Sequence, residues 1–102
     1  MRFASRKDKN HWSIAGALQR QGAEVFDTSA LGDGFPDMVV MYPMPSGRKR
    51  GKIRLVEVKS DTSYGKKGLN DRQSALERRG WPIDVAYDSD DVDTLIAQWR
   101  KR

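Results

Sequence analysis

The segment from residue 37 to residue 59 constrains the fold more than any other part of the sequence. It begins with a nearly continuous apolar run at residues 37–42, DMVVMY. A stretch rich in proline, glycine and basic residues follows at 43–51, and then a run at 52–59 in which Glu57 and Lys59 share one face and Val56 and Val58 the other. Proline and glycine favour turns, and a period of two is typical of strands. The segment therefore predicts an antiparallel hairpin whose first strand is buried on both faces.

The flanking sequence predicts helices and further strands in alternation. Helical spacing of apolar residues indicates helices at 10–21 (capped by Asn10), at 70–79 and from Asp88 onward. Short apolar runs at 23–28 and 81–87 indicate two more strands. The predicted order is α-β-β-β-α-β-α, an α/β fold with a central mixed sheet flanked by helices. With 102 residues the chain is expected to form one domain, in which residues 1–9 are a basic arm.

The composition excludes several kinds of site. The sequence contains no cysteine and one histidine, His11, which excludes disulfides, thiolate chemistry and zinc sites built on cysteine. No apolar run approaches the roughly 18 residues that span a bilayer. The N-terminus has no apolar segment behind its basic residues, so it does not resemble a secretory signal. We therefore expect an intracellular, soluble protein.

Positive charge is concentrated in the first four fifths of the chain. The net charge is +5, but residues 1–80 carry 16 bases against 9 acids, a net charge of +7. Several basic clusters in one small domain favour a surface that binds the phosphate backbone of DNA. The candidate DNA-binding residues are Arg6, Lys7, Lys9, Arg48, Lys49, Arg50, Lys52, Lys66 and Lys67.

Two carboxylates of the predicted hairpin are candidates for catalysis. Antiparallel pairing brings Asp37, at the start of one strand, next to Glu57, near the end of the other. Adjacent carboxylates repel unless a cation neutralises them, and Mg²⁺ or Mn²⁺ prefers such oxygen ligands. The backbone carbonyl of Val58 is a further candidate ligand, and Lys59 could hold the attacking water or stabilise charge on a phosphoryl oxygen. The implied chemistry is metal-assisted phosphodiester hydrolysis. Asp27, Asp33 and Asp61 are expected to be solvated loop residues.

These motifs resemble a known family. GFPDMVV at 34–40, a basic hairpin, LVEVKS at 55–60 and LNDRQ at 69–73 are similar to the PD-(D/E)XK nuclease superfamily, and most closely to its virus-type replication-repair (VRR-NUC) branch. The resemblance covers nearly the whole chain, from about Lys7 to Ile96. It implies that Asp37 and Glu57 bind the metal and that Lys59 is the catalytic lysine.

The resemblance also implies roles outside the hairpin. Gln73 matches the family's glutamine near the active site, and Asn10 and His11 resemble a polar pair at the start of the first helix. Many relatives carry a glutamate on that helix, whereas residues 10–21 contain no acid here. For His11 two interpretations stay open, an active-site neighbour or an ordinary surface residue.

The expected function is that of a Mg²⁺-dependent endonuclease, with Mn²⁺ able to substitute. Small relatives resemble phage-encoded homodimers that cut branched DNA such as four-way (Holliday) junctions, in a bacterial host. One alternative is a nicking, flap or restriction-like nuclease acting on duplex DNA. Another is a basic DNA-binding module without catalysis, in which the Glu57-Val58-Lys59 triplet is incidental.

Overall fold

Helices and strands follow one another along the chain in the predicted order. The computed structural model describes residues 9–43, 51–59 and 69–101. In these ranges the elements are α1 (Lys9–Arg20), β1 (Glu24–Asp27), a 3-10 helix (Ser29–Leu31), β2 (Met38–Tyr42), β3 (Lys52–Val58), α2 (Asp71–Arg78), β4 (Ile83–Ala86) and α3 (Asp90–Arg100). The predicted order and the α/β class are thereby confirmed.

Local chemistry explains where these elements begin and end. Helix α1 is followed by Gly22 at a φ of 95°, a conformation that glycine adopts without steric cost. Helix α3 has three acids in its first turn and Arg100 in its last, both favourable to the helix dipole. Strand β4 is shorter than the predicted 81–87, because the Trp81 N–H donates to Leu76 at the end of α2 and Pro82 has no N–H for the sheet.

The four strands form one mixed sheet in the order β1-β2-β3-β4. The β1–β2 and β2–β3 pairs are antiparallel, and β3–β4 is parallel, with α2 on the connection. Met38 is paired with Asp27 on one side and with Val56 on the other. This register assigns every strand residue to one of two faces, because cross-strand partners share a face.

One face of the sheet carries the core. Buried side chains of α1 and α3 pack against the buried strand residues of that face, namely Ile14, Ala15, Leu18, Val92, Leu95, Ile96 and Trp99 against Met38, Val40, Tyr42, Val56 and Ala86. We call this the inner face and the opposite one the outer face. The prediction that the strand at 37–42 is buried on both faces is wrong, since Met41 is exposed on the outer face. Helices α1 and α3 both cover the inner face, which leaves much of the outer face to solvent.

None of the helices in the described ranges is long and apolar enough to cross a membrane.

Candidate active site

Asp37 and Glu57 lie on neighbouring strands at one end of the sheet. The register pairs Met38 with Val56, so the next position along each chain sets Asp37 opposite Glu57 on the outer face. The turn before β2 holds Asp37 in place, because Thr28 donates its N–H to the Asp37 carbonyl and its hydroxyl to the Pro36 carbonyl, both at 2.8 Å. The expected juxtaposition of the two acids therefore follows from strand pairing and from this turn.

The Asp37 carboxylate is bonded to the backbone of β3. Its Oδ2 accepts a hydrogen bond from the Val58 N–H at 2.9 Å. In an extended strand the N–H and C=O of one residue point to the same side. The Val58 carbonyl is therefore directed toward β2 and Asp37, the side on which a ligand shared with Asp37 has to lie.

Glu57 is buried and has two side-chain partners. Its Oε2 lies 3.4 Å from Lys59 Nζ, and its Oε1 accepts from Gln73 Nε2 at 2.9 Å. Burial and then the negative charge of Asp37 raise the pKa of Glu57, while Lys59 and the Gln73 hydrogen bond act in the opposite direction. The raised pKa shows that the charges around Glu57 do not fully compensate its carboxylate.

Gln73 is buried at the start of α2, and its side-chain oxygen, its side-chain nitrogen and its backbone N–H all form hydrogen bonds. Its Oε1 accepts from the Asn70 N–H and its own N–H donates to Asn70 Oδ1, which together form a capping box. Its Nε2 donates both to Glu57 and to the Gly34 carbonyl, the latter at 2.9 Å. Gln73 thus connects the start of α2, the turn before Asp37 and the carboxylate of Glu57.

The first-helix pair is placed by the position of α1 and by one contact of His11. Asn10 is within the first turn of α1, since the helix begins at Lys9 and not at residue 10. His11 is buried, with Nε2 3.5 Å from Asp27 Oδ1, so it is not an ordinary surface residue. Asp27, paired with Met38, belongs to the inner face, whereas Asp37 and Glu57 belong to the outer face. His11 therefore approaches the end of β1 from the inner face, at the same end of the sheet as Asp37, whose carbonyl accepts from the N–H of Thr28 next to Asp27. Its role as an active-site neighbour stays a prediction.

Asp27 is a residue whose contacts sequence reasoning missed. Besides its approach to His11, its Oδ1 accepts from the Ser29 N–H at 3.0 Å and from the Ser29 hydroxyl at 2.7 Å. Asp27 is exposed, as expected, but it is the last residue of β1 and not a loop residue, and its carboxylate has these local partners. An Asp two residues before a Ser at a strand end is typical of such a local turn, and this was the available signal. Asp33 is largely exposed, 3.8 Å from Arg72, as expected for a loop residue.

Most candidate DNA-binding residues lie outside the described ranges. Those residues are Arg6, Lys7, Arg48, Lys49, Arg50, Lys66 and Lys67. The acid Asp61 also lies outside the described ranges. Lys9 begins α1. Lys52 starts β3, and its Nζ donates to the Trp99 carbonyl at 2.7 Å near the end of α3. This contact gives Lys52 a role in closing the helix, at the end of the sheet away from the carboxylates.

The donor set fits a hard divalent cation in a water-rich coordination shell. In the described ranges no group of three or more His, Cys, Asp or Glu side chains could hold a metal ion. Two facing carboxylates and the adjacent Val58 carbonyl supply three oxygens, and Mg²⁺ usually keeps several waters or substrate oxygens as its other ligands. A bound cation would stabilise the ionised form of Glu57, which burial and the charge of Asp37 disfavour.

Comparison with known proteins supports the same family. No protein-family model matches the sequence, and neither does any curated protein. A solved structure described as a VRR_NUC domain matches the fold with a TM-score of 0.63 and 25% sequence identity. The match covers 89% of this chain and 94% of that one. The resemblance carried by the motifs at 34–40, 55–60 and 69–73 is thus confirmed, and the chain has the fold of a VRR-NUC domain of the PD-(D/E)XK nuclease superfamily.

Proposed function

We propose that this protein is a Mg²⁺-dependent DNA endonuclease that hydrolyses phosphodiester bonds. The observation that carries the proposal is the cross-strand pair Asp37–Glu57 with Lys59 beside Glu57, within a VRR-NUC fold. The pair supplies oxygen ligands, the lysine supplies a cation, and the net charge of +7 on residues 1–80 supplies attraction for DNA.

Each residue of the site has a separate task in this proposal. Asp37, Glu57 and the Val58 carbonyl hold the cation, which when bound polarises the phosphate and lowers the pKa of a bound water. Lys59 orients the attacking water, or donates to the phosphoryl oxygen on which negative charge builds. Gln73 fixes the Glu57 carboxylate through the 2.9 Å hydrogen bond, so that Glu57 does not need to reorganise during the reaction.

Branched DNA is the substrate that we propose, with four-way junctions as the first case to test. Two sites related by a two-fold axis can cut two strands symmetrically, which is what resolving such a junction requires. The proposal therefore includes a homodimer. The competing nuclease reading, a nicking, flap or restriction-like enzyme, differs in substrate and not in chemistry.

A cleavage assay on labelled four-way junction, flap, duplex and single-stranded DNA tests the proposal. We expect cleavage with Mg²⁺ or Mn²⁺, none with EDTA, and a preference for the junction. Asp37→Asn and Lys59→Ala should each lower the rate at least about 100-fold. Asp90→Asn and Lys101→Ala, which change exposed residues of α3 and its end, are the matched controls and should cleave normally.

The outcomes separate the readings. Equal cleavage of duplex and junction would support the restriction-like reading, and preferential cutting of flaps would support the flap reading. DNA binding without cleavage, whichever divalent metal is added, would support the alternative of a non-catalytic DNA-binding module. Full activity of purified Asp37→Asn would overturn the assignment of the site.

A further inference from the structure

Phe35 is an aromatic residue beside the candidate active site whose side chain is partly open to solvent. It stands two residues before Asp37 and is 37% exposed. Residues 36, 38 and 40 are buried, whereas residues 35, 37 and 39 are not. A residue before a proline is restricted to extended conformations, and the side chains of an extended chain alternate between two faces. Phe35 therefore lies on the same side of the chain as Asp37, which belongs to the outer face.

The backbone connects Phe35 closely to both carboxylates. Two extended residues span at most about 7 Å, so the α carbon of Phe35 lies within that distance of the α carbon of Asp37. The carbonyl of Gly34, in the peptide that leads into Phe35, accepts from Gln73 Nε2 at 2.9 Å, and the same nitrogen donates to Glu57. One intervening residue thus separates Phe35 from the first carboxylate, and one buried amide links its peptide to the second.

A fixed turn precedes Phe35. The Phe35 N–H donates to the Gly32 carbonyl at 3.0 Å and closes a turn of four residues. The two central residues, Asp33 and Gly34, have φ values of 59° and 78°, and a type I′ turn requires positive φ at both. Pro36, which follows Phe35, is fully buried and has a φ fixed by its ring. The side chain of Phe35 is therefore presented by a restrained backbone, which lowers the entropy lost when it binds a partner.

Neither the core nor an aromatic contact uses Phe35 within the described parts of the chain. Phe35 is outside the core cluster, and it belongs to neither of the two pairs of aromatic rings found there. Charge on the turn does not prevent an approach of DNA. Asp33 is the one charged residue of the segment 28–36, and Arg72 lies 3.8 Å from its carboxylate. The two charges sum to zero, so they give no net repulsion of phosphate.

We propose that Phe35 stacks on an unpaired nucleobase next to the phosphate that is cut, and that this contact selects branched DNA over duplex DNA. The proposal rests on the proposed function, because it takes the phosphate to lie at the cation held by Asp37 and Glu57. Successive nucleotides of a strand rise by about 3.4 Å in duplex DNA. The bases on either side of that phosphate are therefore within reach of an aromatic side chain so close to Asp37.

The selectivity follows from the geometry of stacking. A ring stacks on the face of a base, and inside a duplex both faces are covered by neighbouring bases. Exposing a face in a duplex costs free energy for unstacking and unpairing, and this cost is lowest where the base is already unpaired. Stacking on an aromatic side chain strengthens binding by about five- to 150-fold per base, whatever the base is. Phe35 is thus a specificity residue that recognises DNA structure and not sequence.

Equilibrium binding of the full chain to labelled four-way junction and to duplex DNA tests the contact, with Ca²⁺ in place of Mg²⁺ to prevent cleavage. We expect Phe35→Leu, which keeps an apolar side chain but loses the ring, to weaken junction binding at least about fivefold. Duplex binding should change less than about twofold, and Phe35→Trp should bind the junction like the wild type. Ile53→Ala is the control, because Ile53 is 66% exposed on the outer face in the row of Met41, at the other end of the sheet. Thermal melts check that each variant folds.

A base deletion identifies the partner of the ring. Junctions that carry one abasic nucleotide, at each branch-point position in turn, remove one candidate base at a time. At one position the wild type should lose at least about fivefold in affinity, and Phe35→Leu should lose almost nothing further, because each change removes one half of the same contact. A merely structural role of Phe35 would instead give losses that multiply at every position.

The outcomes separate this contact from the nuclease itself. Equal weakening of junction and duplex by Phe35→Leu, or no abasic position at which the two changes fail to add, would overturn the stacking. Wild-type junction selectivity in Phe35→Leu, together with Mg²⁺-dependent cleavage, would refute the role of Phe35 and leave the nuclease. A ring-dependent preference for the junction in a protein that never cleaves with Mg²⁺ or Mn²⁺ would support the base contact and refute the nuclease.

Discussion

The Nε2 atom of Gln73 lies 2.9 Å from Glu57 Oε1 and 2.9 Å from the Gly34 carbonyl oxygen, so one buried amide joins the second carboxylate to the turn before Asp37. Both donors of this amide are engaged, and its oxygen accepts from the Asn70 N–H. The amide cannot rotate without losing all three hydrogen bonds. The distance between the two carboxylates therefore depends on a residue of a third element.

We predict that Gln73→Met lowers the free energy of unfolding by about 2–3 kcal/mol, because buried acceptors on Gly34 and Glu57 lose their donor. Cleavage should fall by about ten- to 100-fold, since Glu57 is no longer held. Chemical denaturation and single-turnover rates at saturating Mg²⁺ measure the two effects. Arg78→Met, at an exposed position of the same helix, controls for the substitution. A Gln73→Met variant with wild-type stability and rate would show that the amide has no positioning role.

The raised pKa of Glu57 predicts that Glu57→Gln is more stable than the wild type at neutral pH in EDTA. Because the pKa is higher in the folded than in the unfolded state, ionised Glu57 opposes folding. The advantage of the variant should be complete above the folded pKa. It should disappear as the pH falls through that pKa and below the ordinary value of 4.5, where both states of the wild type are protonated. Melting temperatures of both proteins from pH 4 to pH 8 give the difference, and a variant less stable than the wild type at pH 8 would contradict the sign.

Local patterns were sufficient to predict the order of the elements and the pairing of Asp37 with Glu57. Apolar runs interrupted by glycine and proline mark each element, and a hairpin between two adjacent strands leaves one antiparallel register that buries the apolar positions. In that register the residue before Met38 meets the residue after Val56. The acid pair thus depends on information within about twenty residues of sequence.

Contacts between distant elements could not be read in the same way. Met41 is exposed because α1 and α3 both cover the opposite face of the sheet. A continuous apolar run does not indicate which face the helices will cover. Lys52 donates to Trp99, 47 residues away, although its sequence context resembles a DNA-binding cluster. His11 approaches Asp27 because α1 packs beside β1. Each of these features depends on tertiary packing, which no short-range pattern of apolar residues in the sequence indicates.

Gly34 is predicted to be less replaceable than other glycines with positive φ. Its φ is 78°, and a Cβ there would lie 2.8 Å from Cβ of Arg72. Gly34→Ala should lower the free energy of unfolding by about 1 kcal/mol because of the backbone conformation. The overlap of the new Cβ with α2 should lower it by about 1–3 kcal/mol more.

Gly80→Ala is the matched control for this substitution. Gly80 has a φ of 102°, but a Cβ there would meet nothing within 4 Å. Gly80→Ala should therefore lower the free energy of unfolding only by the cost of the backbone conformation, about 1 kcal/mol. Urea denaturation of both variants separates the two contributions, and equal costs would show that α2 moves freely away from the turn. Because Gly34 also accepts from Gln73, cleavage should fall in Gly34→Ala and not in Gly80→Ala.

Divalent cations should stabilise the folded protein through Asp37 and Glu57. A cation that binds only the folded state adds about 1.4 kcal/mol when its concentration is ten times the dissociation constant. We expect the wild-type melting temperature to rise by several degrees in about 10 mM Mg²⁺ or Mn²⁺. Asp37→Asn should abolish the rise, and Asp90→Asn should retain it.

The same measurement separates metal binding from the chemistry assigned to Lys59. Lys59 Nζ lies 3.4 Å from Glu57 Oε2, so Lys59→Ala removes a positive charge from beside the carboxylates. The variant should bind the cation more tightly and show a larger rise in melting temperature, because less repulsion opposes the incoming charge. Its cleavage rate should nevertheless fall at least about 100-fold. A loss of both metal stabilisation and cleavage would instead mean that Lys59 supports the metal site itself, and the catalytic role proposed for it would then have to be abandoned.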